Sequence, residues 1–178
     1  MDRQFLIAGF GGQGVLLIGQ LIAKTAMYEG SNVSWMPSYG PEMRGGEANC
    51  AVVVSDEAIG SPVVTEPPCL IAMNTPSLVK FMPRMEKNGI LIYNSSLIND
   101  VEVRDDLKVV AVPCNEIAGE IGNPRVGNMV MLGAVVGATK VVTLDALTKT
   151  LSDWLGEKKA HMLADNMKAI ERGMALVD

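Results

Sequence analysis

The chain has one histidine, three cysteines and no excess of cations, and each shortage removes a class of chemistry. His161, the single histidine, lies among Lys158, Lys159 and Asp165. No serine or cysteine triad is easily assembled around it, and no paired-histidine metal site exists. It reads as a solvated surface residue. Cys50, Cys69 and Cys114 are odd in number and far apart, which argues against a disulfide framework, a zinc site or an iron–sulfur cluster held by this chain alone. They read as buried packing residues. The formal net charge of -5 gives no electrostatic reason to expect nucleic acid or an anionic membrane as partner, because neutralising phosphates takes clustered Lys and Arg. Long apolar runs are missing too. The longest, Met129 to Ala138, falls well short of the roughly 20 residues that span a bilayer. The N-terminus lacks a signal-peptide pattern, so a cytoplasmic location is expected, and the triplets Asn32-Val33-Ser34 and Asn94-Ser95-Ser96 are read as carrying no glycan.

What is present suits one compact domain over residues 1–178, since 178 residues with 48% hydrophobic content bury one substantial core. Strand-like and helix-like segments alternate, which predicts an α/β fold of three layers, a mostly parallel sheet with helices on both faces. The expected strands are Gln4–Ala8, Asn32–Met36, Ala48–Ser55, Cys69–Met73, Ile90–Tyr93 and Val109–Val112. The first, second and intervening helix form a βαβ start. Thr75-Pro76 supplies an N-cap and a proline for a helix ending near Asn88-Gly89. A glycine-rich stretch, Ile121–Gly127, leads into an apolar helix from Asn128 to Thr139, with Asn128 the candidate cap, and Thr143 with Asp145 opens the next. Leu163, Met167, Ile170 and Met174 form a stripe at helical spacing opposite Lys159, Lys168, Glu171 and Arg172, so the last helix is amphipathic.

The opening segment is Phe5-Leu6-Ile7-Ala8-Gly9-Phe10-Gly11-Gly12-Gln13-Gly14, followed by an apolar run through Ala26. A strand running into a glycine turn and then a helix leaves backbone amides at the helix N-terminus free to face an anion. Gly9, Gly11 and Gly14 fit GxGxxG, a pattern shared by many unrelated α/β proteins. Two of its usual meanings fail. The strand Val33-Ser34-Trp35-Met36 runs into Pro37-Ser38-Tyr39 without the carboxylate that binds the ribose of NAD, and Gly19 is followed by Gln20-Leu21 rather than the Lys and Ser or Thr of a P-loop.

Two further loops carry candidate ligand groups. Ser38-Tyr39-Gly40-Pro41-Glu42-Met43-Arg44-Gly45-Gly46-Glu47 cannot be helix or strand throughout and reads as a structured loop beside the glycine turn, at the carboxyl edge where α/β proteins bind ligands. Arg44 either grips a carboxylate or phosphate with its planar guanidinium or pairs locally with Glu42 or Glu47. Asn123-Pro124-Arg125-Val126-Gly127-Asn128-Met129 again joins glycine, arginine and a helix start. It either completes the same surface or is an ordinary capped connection.

Taken with Leu132-Gly133-Ala134, these three segments make the chain resemble, over nearly its whole length, the gamma subunit of 2-oxoacid:ferredoxin oxidoreductases. Within that family the resemblance is greatest to the small, separate gamma subunits of 2-oxoglutarate enzymes. It implies a complex that decarboxylates a 2-oxoacid on thiamine diphosphate, passes electrons through iron–sulfur clusters to ferredoxin and forms an acyl-coenzyme A, here succinyl-coenzyme A. The implied partners are alpha and beta subunits, a delta subunit where one is present, and ferredoxin through the complex. Thiamine diphosphate and the clusters would sit on those other chains, this chain would hold no cofactor firmly alone, and it would be inactive in isolation. The remaining polyanion is coenzyme A. The cofactor-facing candidates are Gly9, Gly11, Gly12, Gly14, Tyr39, Arg44, Gly45, Arg125 and Asn128, with no metal ligand and no catalytic residue assigned. The glycine amides either accept a phosphate-bearing part of coenzyme A or face a neighbouring cofactor subunit. Two alternatives stand beside this one: an independent dinucleotide-binding oxidoreductase, and a non-catalytic scaffold subunit.

Overall fold

A computed structural model describes residues 2–40 and 46–177. Among the described residues six strands form one sheet: β1 (Arg3–Phe10), β2 (Asn32–Tyr39), β3 (Glu47–Ser55), β4 (Cys69–Ala72), β5 (Ile90–Asn94) and β6 (Lys108–Val112). Their spatial order is β2-β3-β1-β4-β5-β6. β1, β4, β5 and β6 run parallel, whereas β3 is antiparallel to both β1 and β2. The expected βαβ start is therefore modified, because β3 is inserted between β1 and β2. The β2–β3 pair is a hairpin in which Tyr39 faces Ala48.

Of the parallel strands, β1, β4 and β5 are apolar on both faces at their centres because both faces are covered there. Phe5, Ile7, Cys69 and Ile71 contribute to one core, and Leu6, Ala8, Leu70 and Ala72 to the other. The first core is the larger, roofed by α1 (Val15–Tyr28), α3 (Cys114–Ile121), α4 (Gly127–Thr139), α5 (Leu144–Leu155) and α6 (Leu163–Met174). The opposite face carries α2 (Thr75–Phe81), whose Leu78 and Phe81 pack on Leu6, Leu70 and Leu91. Every residue of α4 from Met129 to Gly137 is buried, so this helix is apolar all round and lies inside the helical layer. It meets α6 closely: a β-carbon on Gly133 would strike the Ile170 carbonyl, and one on Gly173 the Val130 carbonyl.

Several local expectations shift. β2 continues through Pro37 to Tyr39 instead of stopping at Met36, and β3 begins at Glu47, so both ends of the expected Ser38–Glu47 loop are strand. Proline is tolerated there because β2 is the sheet edge. Asn74, not Thr75, caps α2, its side chain accepting from the Ser77 amide at 2.9 Å. That helix ends at Phe81 in a 3-10 turn over Met82–Arg84, well before Asn88. α3 was not expected; it is eight residues long and has no side-chain cap to announce it. Asn128 lies inside α4 and not at its cap. The chain enters α4 from a 3-10 turn, Pro124–Val126, which Asn123 caps by accepting from the Arg125 amide at 3.2 Å. Thr143 does cap α5.

Candidate functional site

At the carboxyl ends of the parallel strands lies a cavity of about 510 Å³, lined by Gly12, Gln13, Gly14, Met73, Asn94, Leu97, Asn115, Pro124, Arg125, Gly127 and Asn128. The fold brings these residues together from five places: the turn after β1, the ends of β4 and β5, the start of α3, and the 3-10 turn entering α4. Among the described lining residues Arg125 is the only charged side chain, and none is acidic. The starts of α1 and α4 both meet the cavity, and neither helix carries an acidic residue in its first turn. Their partial positive ends are therefore uncompensated. Amide-bearing side chains, Asn94, Asn115 and Asn128, supply the remaining polarity. Asn94 Nδ2 donates to Asn115 Oδ1 at 3.3 Å, and the neighbouring Ser96 hydroxyl bonds Glu116, holding that carboxyl below its usual range. Such a site suits an anion.

The glycines of the turn have different duties. Gly12 has φ of 101°, and among the described residues nothing stands within 4 Å of the position its β-carbon would take; it lines the cavity. Gly14 caps α1 in the left-handed region, with φ of 76°, and its bare α-carbon lets Asn128 lie against it. Gly11 donates its amide to the Gly46 carbonyl at 2.8 Å, which ties the turn to the β2–β3 hairpin. Gly9 is behind the turn, where a β-carbon would be 2.6 Å from Gln13 Oε1. Among the described residues the amides of Gly12 and Gly14 have no hydrogen-bond partner.

Of the expected site residues, Gly12, Gly14, Arg125 and Asn128 line the cavity, with Gly9 and Gly11 shaping its turn. Tyr39 does not line it; it ends the edge strand β2 and is 56% exposed. Arg44 and Gly45 lie outside the described residues. Glu47, one of the two local partners considered for Arg44, is held by Lys80 at 2.6 and 2.8 Å. The wall residues Asn94 and Asn115 were missed, and their only signal was an asparagine ending β5 and another in the first turn of α3. Gln13 stood in the motif without a duty.

The three cysteines are buried, and burial pushes each thiol up to about 12. Among the described residues no three His, Cys, Asp or Glu side chains converge, and no helix is long and apolar enough to cross a membrane.

Residues 4–176 match the family described as pyruvate ferredoxin/flavodoxin oxidoreductase. Ketoisovalerate oxidoreductase subunit VorA of Methanothermobacter marburgensis is 40% identical over 172 residues, covering 94% of this chain and 35% of that relative. The chain thus spans about a third of that protein. The keto/oxoacid ferredoxin oxidoreductase gamma subunit of Geobacter sulfurreducens PCA superposes with a TM-score of 0.82 at 28% identity, covering 98% of each chain. A 2-oxoglutarate:ferredoxin oxidoreductase of Magnetococcus marinus, solved with 2-oxoglutarate, coenzyme A and succinyl-CoA, superposes with a TM-score of 0.90 at 26% identity, covering 99% of this chain and 31% of that one.

Proposed function

The chain belongs to the pyruvate ferredoxin/flavodoxin oxidoreductase family, in its gamma-subunit form, and from that premise we propose that it serves a multisubunit complex catalysing coenzyme A-dependent oxidative decarboxylation of a 2-oxoacid. One observation carries the reading. Two helix starts without acidic compensation, Gly12, whose amide has no hydrogen-bond partner among the described residues, and Arg125 all line one cavity that no described carboxylate lines. In this role the Gly12 and Gly14 amides and Arg125 hold a phosphate-bearing part of coenzyme A, or else accept the anionic edge of a neighbouring cofactor subunit. Coenzyme A supplies the thiol that takes up the acyl group. The chain's own work is to bind and orient: amides and guanidinium neutralise phosphate charge, and the asparagine wall fixes the ligand's polar groups.

Alpha and beta subunits, bearing thiamine diphosphate and iron–sulfur clusters, are the partners in this reading, with ferredoxin the electron acceptor and the cytoplasm the location. The chain supplies no cluster site of its own in this scheme. Met36 and Tyr39, exposed along the β2 edge, suit contact with those partners. Our first choice of oxoacid is 2-oxoglutarate, the substrate bound in the Magnetococcus protein. Ketoisovalerate stands beside it, because the Methanothermobacter relative is named for that acid.

The deciding experiment is purification of the tagged chain from its native cells. Partners that bind thiamine diphosphate and carry clusters, in fixed ratio, with 2-oxoacid-dependent reduction of ferredoxin, would support the reading. A lone chain that binds NAD, NADP or flavin tightly would replace it. Comparing 2-oxoglutarate, 2-ketoisovalerate and pyruvate in the same assay identifies the acid.

A further inference from the structure

The side chain of Gln13 turns back from the cavity into the fold, where it joins three separate elements. Its Oε1 accepts from the Phe10 amide at 2.7 Å and from Asn74 Nδ2 at 3.3 Å, while its Nε2 donates to the Met73 carbonyl at 3.2 Å. The end of β1, the residue after β4 and the cap of α2 are thereby pinned to the middle of the glycine turn. The backbone adds a fourth tie, the Gln13 amide donating to the Phe10 carbonyl at 3.1 Å.

The orientation of this amide is fixed by its neighbours. Asn74 Oδ1 is occupied by the Ser77 amide, so Asn74 presents its NH₂ to Gln13. Gln13 must then meet Asn74 with oxygen and Met73 with nitrogen, and only a carboxamide satisfies both. Gly9 makes the room. A β-carbon there would be 2.6 Å from Gln13 Oε1 and 2.9 Å from both Met73 Cβ and Val15 Cγ1. The first glycine of the motif thus makes room for Gln13, Met73 and Val15.

We propose that Gln13, seated in the space left by Gly9, is the positioning residue that latches the Gly11–Gly14 turn in the shape presenting the Gly12 and Gly14 amides to the cavity's anion. The proposal rests on the reading of that cavity as an anion site. It assigns Gln13 an indirect role: the residue sets affinity through the turn and takes no part in the chemistry.

Two readouts test it. The first is ¹⁵N relaxation of the full chain without ligand. Rigid backbone gives order parameters near 0.85 and flexible backbone below about 0.6. Gly11, Gly12 and Gly14 should stay near the rigid value in the wild type and fall toward the flexible one in Gln13→Ala. Gln13→Glu keeps both acceptor contacts and loses the donor, so it should fall between them; if Gln13→Ala does not fold, Gln13→Glu carries the comparison. The second readout is the assembled complex, where Gln13→Ala should raise the coenzyme A KM by about tenfold with kcat within about twofold of wild type, a loss near 1.4 kcal/mol. Unchanged order parameters in the variant would overturn the latch. Loosened glycines with an unchanged coenzyme A KM would uphold the latch and remove coenzyme A from the cavity.

Discussion

The carboxamide of Asn128, one residue into α4, occupies the space against Gly14 where any other residue would carry its β-carbon. A methyl group on Gly14 would collide with Asn128 Nδ2 and stand 2.9 Å from its Cγ. The two helix starts that face the cavity are therefore packed on one another through a glycine and an asparagine separated by 114 positions in the chain.

That contact separates two glycines that look alike in the sequence. Alanine at Gly12 meets no described neighbour within 4 Å and bears the strain of φ at 101°, so Gly12→Ala should lower stability by about 1 kcal/mol. Alanine at Gly14 bears the same kind of strain and must also displace Asn128, so it should lose roughly 2–3 kcal/mol. Urea unfolding of both variants measures the difference. Adding Asn128→Ala to Gly14→Ala should recover part of the loss, a non-additivity expected of residues in contact.

The interlock of α4 and α6 gives the fold's least tolerant positions. Gly133→Ala and Gly173→Ala would each drive a methyl group into a backbone carbonyl of the facing helix, which no rotamer change relieves. We expect losses of about 3 kcal/mol or more. Gly119 in α3 has no neighbour within 4 Å of its β-carbon position, so Gly119→Ala should instead gain roughly 0.5–1 kcal/mol from helix propensity. Denaturant midpoints of the three variants compare them directly.

The buried thiols make stability fall in alkali. In the folded chain Cys50, Cys69 and Cys114 hold their protons to about 12, because burial disfavours the thiolate, whereas an unfolded thiol releases its proton near the ordinary 9.0. Above that pH the unfolded chain binds fewer protons than the folded one, so the stability from these groups, fully present below about pH 9, is lost as pH rises toward 12. Equilibrium unfolding at pH 7.5, 9 and 10.5 should show little change over the first interval and a decline over the second. Thiol alkylation at pH 8 should be slow in the native protein and rapid in urea.

The parts legible in the sequence were those set by neighbouring residues. β1, the glycine turn and α1 follow from an apolar run meeting glycine. α5 follows from the Thr143 cap, and the buried cysteines from their number and spacing. The insertion of β3 between β1 and β2 was not legible, because a strand's partner is chosen by long-range pairing and its residue pattern is compatible with either neighbour. The cavity wall was hidden for the same reason: Asn94 and Asn115 meet only once β5 and α3 are in place. Asn128 was legible as important and misread in duty, because the preceding 3-10 turn leads directly into α4 and puts its cap at Val126, two residues before Asn128.

The proposal that the cavity binds an anion is tested most directly at Arg125, an exposed guanidinium whose removal disturbs no core packing. The measurement is coenzyme A-dependent ferredoxin reduction by the assembled complex carrying Arg125→Ala. A hydrogen bond to a charged group contributes about 1.5–3 kcal/mol, and solvent exposure favours the lower end. The coenzyme A KM should therefore rise by about tenfold, with kcat within about twofold of wild type. A fully assembled variant complex with an unchanged coenzyme A KM would contradict the placement of coenzyme A phosphate in this cavity.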